Sequence, residues 1–174
     1  MEIYKGTATF SGIAIGKILY YSRGEYQIRQ CLVSNIKKEI SNFQEARIQA
    51  VQKLNELYEA SRLLNEQEAG VFMRQIKLLE SESYQNAIES SIAHEKVNAA
   101  YAVMINRDEL VETFRHLEEP VIRRRINDMQ EISNRLIQIL GGAAIRINLG
   151  DEPVILVAEA LSPTEIMEMD KDKL

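Results

Sequence analysis

The sequence predicts a mainly α protein, an antiparallel helical bundle inserted into a small α/β unit whose two parts lie at the ends of the chain. Three observations carry this. Glycine-punctuated, β-favouring pieces occupy residues 1–33, helical periodicity runs from Ser34 to Gly141-Gly142, and the apolar run Val154 to Ala158 returns to the pattern of a buried strand. The expected division is therefore 1–33, 34–142 and 143–174, with the first and last parts pairing across the helical insertion.

In the first part, Gly6, Gly12, Gly16 and Gly24 separate short apolar pieces such as "SGIAIGKILYY", and residues from about 2 to 22 are expected to supply two strands joined by tight turns. From Ser34 the apolar or small positions become Ile36, Ile40, Phe43, Ala50, Leu54, Leu57 and Leu64, in steps of four and three with Arg47 and Ser61 as interruptions. A stripe of that length needs packing along most of it. Gln67 to Glu80 carries a second stripe, Phe72, Ile76 and Leu79, and a break at "ESES" precedes a helix holding Tyr84, Ile88 and Ile92. Ala100, Met104, Val111 and Phe114 mark the next helix. Pro120 suits the opening turn of the last long one, whose stripe is Ile122, Ile126, Met129, Ile132, Leu136 and Ile139 before the Gly141-Gly142 stop. The alternation "AAIRINL", a turn at residues 150–153, the strand Val154–Ala158 and a helix opening at Ser162-Pro163-Thr164-Glu165 complete the order. A strand leading into a helix normally feeds another strand, so the α/β part is expected to be truncated, with an exposed sheet edge.

Composition narrows the function. The 174 residues are 45% hydrophobic, and 26 acidic against 21 basic residues give a formal charge of -5, which offers no overall positive field for a nucleic-acid backbone. No apolar run approaches bilayer length, the N-terminus lacks a secretory pattern, and a single cysteine, Cys31, forms no internal disulfide. A soluble, cytoplasmic protein is expected. Catalytic and cofactor signals are missing: His94 lies within a helix-like stretch and His116 at a helix end, where a cation favours the dipole. No metal-ligand spacing accompanies either histidine. "GIAIG" lacks the third glycine of a dinucleotide loop, Cys31 reads as a buried thiol, Arg123 to Arg125 as a solvated helix face, and the six methionines as core filling. Binding is the leading inference.

The motifs "SGIAIGK", "IKLLES", "RRRINDMQEISNRLI" and "VILVAEALSPTE", in that order and spacing, resemble enzyme I, the phosphoenolpyruvate-protein phosphotransferase family of the bacterial sugar phosphotransferase system. The resemblance covers essentially the whole chain. It implies that the α/β unit is an incomplete phosphohistidine (swivelling) domain and that the inserted bundle docks the small phosphocarrier protein HPr. It further implies that the phosphoacceptor histidine lies beyond Leu174, so that this piece alone is inactive. It also implies a magnesium-binding, dimer-forming C-terminal domain further on, with no cofactor expected in this chain.

Carried over residue by residue, the resemblance places Phe72, Leu78, Leu79, Tyr84 and Phe114 on the docking ridge, Glu80 and Glu82 on its acidic rim, Arg125 near the site of transfer and Ser162 close to the phosphohistidine. Phe72, Leu79 and Phe114 also fall on core stripes and have an interior role available, whereas Leu78 and Tyr84 sit off the neatest stripe. The chain departs from the family at Ser11, where proline is common, and at Met73, Gln75 and Ser81, where an acidic residue, a histidine and an aspartate are usual. Lys77 adds a positive charge. These departures leave two alternatives, a diverged paralogue serving another phosphocarrier and a stand-alone helical interaction module. A pyruvate phosphate dikinase relative is disfavoured by the bundle.

Overall fold

The computed structural model describes residues 12–21, 28–63, 66–117, 119–141, 149, 152–158, 161 and 163–173. The order of elements is β1 (Lys17–Tyr21), α1 (Ile36–Arg62), α2 (Glu66–Glu80), α3 (Glu82–Glu95), α4 (Ala99–Phe114), α5 (Pro120–Leu140), β2 (Val154–Ala158) and α6 (Pro163–Glu168), followed by a 3-10 turn at Lys171–Lys173. The fold is mainly helical, as the periodicity predicts.

Each helix boundary has a local cause. Asn35 caps α1, its Oδ1 accepting from the Lys38 N–H at 3.0 Å. The "ESES" break shrinks to one extended residue, Ser81, whose Oγ accepts from the Tyr84 N–H at 3.3 Å and so ends α2 while starting α3. Lys96 closes α3 in the left-handed region, φ 55°. Glu39 of α1 reaches across to the first turn of α4, its Oε2 accepting from the Ala99 N–H at 2.9 Å. Pro120 stands in the opening turn of α5, where its missing N–H costs nothing. Gly141 ends α5 in right-handed backbone with its N–H on the Ile137 carbonyl at 2.9 Å.

The main core is built from α1 to α5. Phe43, Ala46, Ala50, Leu54 and Leu57 of α1 meet Phe72, Ile76 and Leu79 of α2, Tyr84, Ile88 and Ile92 of α3, and Met129, Ile132, Leu136 and Ile137 of α5. Two expectations about α1 change: Ala46 takes the inward place that Arg47 seemed to interrupt, and Ser61 is buried as part of the stripe. The inward face of α4 is Ala99, Ala102 and Val103, one position away from the expected Ala100, Met104, Val111 and Phe114. "AAYAVMI" is apolar nearly all round, so periodicity alone does not orient it.

β1 and β2 form a two-stranded parallel sheet with Lys17 opposite Val154 and Tyr21 opposite Ala158. Strands on either side of the helical stretch in sequence thus meet. One strand is described where two were expected in the first part; residues 1–11, and all of "AAIRINL" except Leu149, lie outside the described residues. A second small core, Leu149, Val154 and Met169 with Leu19, Leu156 and Leu161 against it, covers one side of the pair. The Tyr21 hydroxyl donates to Glu165 Oε1 at 2.6 Å, tying α6 to β1, and Met167 of α6 packs against the main core. Ile18 and Tyr20 point outward and are exposed. Cys31, expected to be buried, is exposed, because its backbone is held by pairing of the segment around Leu32 with that around Val97 and its side chain is left outside.

Candidate docking surface

The residues carried over from the resemblance divide into two groups. Phe72 and Leu79 are interior, each on the α2 face that meets α1 and α5. Tyr84 is interior as well, at 7% exposure, which corrects the expectation drawn from its position off the neatest stripe. The cause is the single-residue break: Ser81 redirects the chain so that the first turn of α3 turns Tyr84 inward, and its hydroxyl comes 3.5 Å from Ser133 Oγ on α5. Burial pushes the Tyr84 phenol up to about 12, with the Ser133 hydrogen bond opposing part of that rise. These three side chains support a surface from beneath.

The second group is accessible. Leu78 is half-buried against the core, and Glu80 and Glu82, on either side of Ser81, are exposed. Phe114, expected on a core stripe, is 36% exposed at the end of α4, and the turn into α5 adds Leu117 at 44% and Val121 at 70%. Leu117 and Val121 were not singled out from the sequence. Their signal was two apolar residues bracketing "EEP" in a turn, off every stripe. Arg125 is exposed on the second turn of α5, as are Arg123 and Arg124. Ser162 lies outside the described residues.

A charged contact joins α2 to α5 at their seam. Arg74 Nε donates to Asp128 Oδ2 at 2.9 Å, with the carboxylate side chain 10% exposed and the guanidinium 48% exposed. Water reaches the arginine, so the pair adds little stability, but it sets α2 against α5 in register. The α4–α5 hairpin is held by Arg107 Nη1 donating to Asn134 Oδ1 at 2.8 Å. His94 bonds within α3 to the Ser90 carbonyl at 2.9 Å, and His116 is exposed after α4, next to Leu117. Among the described residues, no three or more His, Cys, Asp or Glu side chains gather as a metal site would require, and no helix is long and apolar enough to cross a membrane.

This arrangement, a helical bundle whose surface carries apolar and charged side chains, meets known proteins at the level of family. The model of the family described as PEP-utilising enzyme, N-terminal, matches residues 5–125. The chain belongs to that family. Relatives of this PEP-utilising enzyme N-terminal domain include phosphoenolpyruvate-protein phosphotransferases of Haemophilus influenzae (30% identical, 97% of this chain, 30% of the relative) and Borreliella burgdorferi (27% identical, 95% of this chain, 30% of the relative). The chain spans about 30% of the length of these curated relatives. The fold matches a solution structure of enzyme I (TM-score 0.74, 23% identity, 91% of this chain and 65% of that one). It also matches a structure titled as the N-terminal domain of Enzyme 1 - Nitrogen (TM-score 0.71, 21% identity, 94% of this chain and 68% of that one).

Proposed function

We propose that this chain is the N-terminal part of a phosphoenolpyruvate-protein phosphotransferase and that its bundle docks a phosphocarrier protein of the HPr type in the cytoplasm. The observation that carries this reading is the end-to-end match to relatives of that name, which takes in 95% of this chain in the Borreliella burgdorferi protein. Exposed apolar residues at the α4–α5 corner, Phe114, Leu117 and Val121, support it, since a patch of that kind suits a partner better than water.

Phosphoryl transfer depends on alignment of the donor and acceptor and on charge stabilisation. In this reading the bundle contributes alignment: Phe72, Leu79 and Tyr84 hold the α2–α3 break rigid from inside, while Leu78, Glu80, Glu82, Phe114 and Arg125 meet the partner. Arg125 would stand by the phosphoryl group, where a guanidinium matches the geometry of phosphate oxygens. No residue described here is assigned the role of phosphoacceptor, so the reading has this chain bind the carrier without exchanging phosphate. Magnesium and dimer formation are assigned to a C-terminal domain and to none of these residues.

The test is an NMR titration of the isotopically labelled chain with HPr from the same organism. Amide shifts confined to the neighbourhood of Leu78, Phe114, Leu117 and Arg125, with core amides such as that of Leu54 unmoved, are the expected result. A folded chain showing no shifts with partner in large excess would refute docking and leave a stand-alone interaction module.

A further inference from the structure

We infer that the open side of the β1–β2 pair binds a second copy of this chain, through a closed two-fold contact between like apolar faces. The parallel register sets Ile18 beside Ile155 and Tyr20 beside Val157. Leu19, Val154 and Leu156 belong to the second small core, so alternation along each strand turns these four side chains to the opposite side. Their exposure agrees: Ile18 is 54%, Tyr20 77% and Val157 40% exposed, and Ile155 is half-buried. Ile155 leans over Gly16, its Cγ1 lying 3.6 Å from where a Cβ on the glycine would stand. The apolar block thus runs on toward the segment before β1, where Ile13 and Ile15 are 93% and 97% exposed.

Charge, shape and size favour a copy of the same chain as the occupant. Gly16, Ile18, Tyr20, Ile155 and Val157 carry no charge, so this face has nothing with which to select an oppositely charged partner, while a second identical face matches it as it stands. A two-fold axis lying across the strands sets the Tyr20–Val157 row of one copy on the Ile18–Ile155 row of the other, so that an aromatic ring meets branched aliphatic side chains at each end of the contact. With about 100 Å² for a fully exposed aliphatic side chain and about 200 Å² for a tyrosine, Ile13, Ile15, Ile18, Tyr20 and Val157 present roughly 400 Å² per copy. Two copies meeting there remove roughly 800 Å² of apolar surface from water, at the small end of specific interfaces. A contact of that size makes a reversible, concentration-dependent dimer.

The contact lies on the strands, apart from the helical docking residues, and is separate from the dimer formation assigned above to a C-terminal domain; it stands whether or not the docking reading does. Each copy carries -5, and these like charges oppose association while the face itself is neutral. Screening by salt should therefore tighten the dimer.

The experiment is sedimentation equilibrium of the whole 174-residue chain from about 1 μM to about 1 mM, a span that brackets the micromolar affinity expected of so small an interface. The mass should climb from monomer to dimer and stop there, and the midpoint should move to lower concentration as ionic strength rises from about 0.01 M to about 0.5 M. Tyr20→Lys sets a charge within the contact and should raise the midpoint about tenfold or more, with circular dichroism checking the fold. Leu117→Ser, at the exposed α4–α5 corner, should leave the midpoint where it is. In a mixture of isotopically labelled and unlabelled chain, NOEs between copies should join the Tyr20 ring to the Ile18 and Ile155 methyls, a readout that needs no variant to fold. A chain still monomeric at about 1 mM, a dimer indifferent to Tyr20→Lys, a dimer abolished by Leu117→Ser, or growth past the dimer would each overturn the inference.

Discussion

Replacing Tyr84 by phenylalanine should change how the protein responds to alkali while scarcely changing it at neutral pH. The phenol is buried between α3 and α5, its pKa is raised from an ordinary value near 10 to about 12, and its hydroxyl lies 3.5 Å from Ser133 Oγ. The folded state therefore keeps the proton more tightly than the unfolded chain. Stability from this group is complete below about pH 10 and is lost as pH rises through 10 toward 12, because only the unfolded chain gains by ionising in that window. A shift of about two units corresponds to about 2.7 kcal/mol in full, of which about 1.4 kcal/mol is lost by about pH 11. Tyr84→Phe has no proton to lose. At about pH 8 it should cost under about 1 kcal/mol, since the 3.5 Å contact is long and the ring remains in place. Urea unfolding of both proteins at about pH 8 and about pH 11 provides the assay, with lysine and exposed tyrosine titrations common to the two. The stability difference between wild type and variant should move in favour of the variant by about 1.4 kcal/mol between those values. Parallel pH dependences would refute the burial argument.

A contrast between interior and surface tests the division of the docking residues. Leu136→Ala, at a fully buried position in the main core, should destabilise by about 2–5 kcal/mol. Leu117→Ser, at an exposed position, should leave stability within about 0.5 kcal/mol and weaken carrier binding about tenfold or more; unfolding midpoints and titrations of both variants decide it. Ser81→Ala removes the only side-chain cap of α3 and should cost about 1 kcal/mol of stability, measured in urea; an unchanged midpoint would mean that the break is set elsewhere.

Much of the bundle was legible because its helices carry distinct stripes. Phe72, Ile76 and Leu79, then Ile88 and Ile92, then Ile132 and Leu136, are all interior as their spacing requires. The "ESES" break was legible because serine competes for the backbone hydrogen bonds a helix needs. What periodicity did not give was orientation where several faces are apolar, as in α4, or where a small polar residue such as Ser61 or Ser133 occupies the core. The docking surface was partly legible. Glu80, Glu82 and Arg125 are exposed, but Tyr84 turned inward through a one-residue change of direction, and Leu117 and Val121 became visible only when the α4–α5 turn was placed. The Arg74–Asp128 seam joins positions 54 apart in sequence, beyond the reach of any local pattern.

The parallel pairing of β1 with β2 also determines what the helices must do for the sheet. The chain leaves β1 at Tyr21, opposite Ala158, yet has to re-enter β2 at Val154, opposite Lys17. Re-entry is at the far end of the ribbon, so a tight turn is ruled out and a crossover is required. Here that crossover is the bundle itself. Closing so long a stretch of unstructured chain, about 130 residues, would cost about 4 kcal/mol in loop entropy before the strands gained anything. Five residue pairs, in a ribbon with one side still open to water, are a poor match for that cost. The folded helices remove it by delivering the two strand-forming segments to one place, so the sheet is a dependent of the bundle, and its persistence reports on whether the bundle is intact.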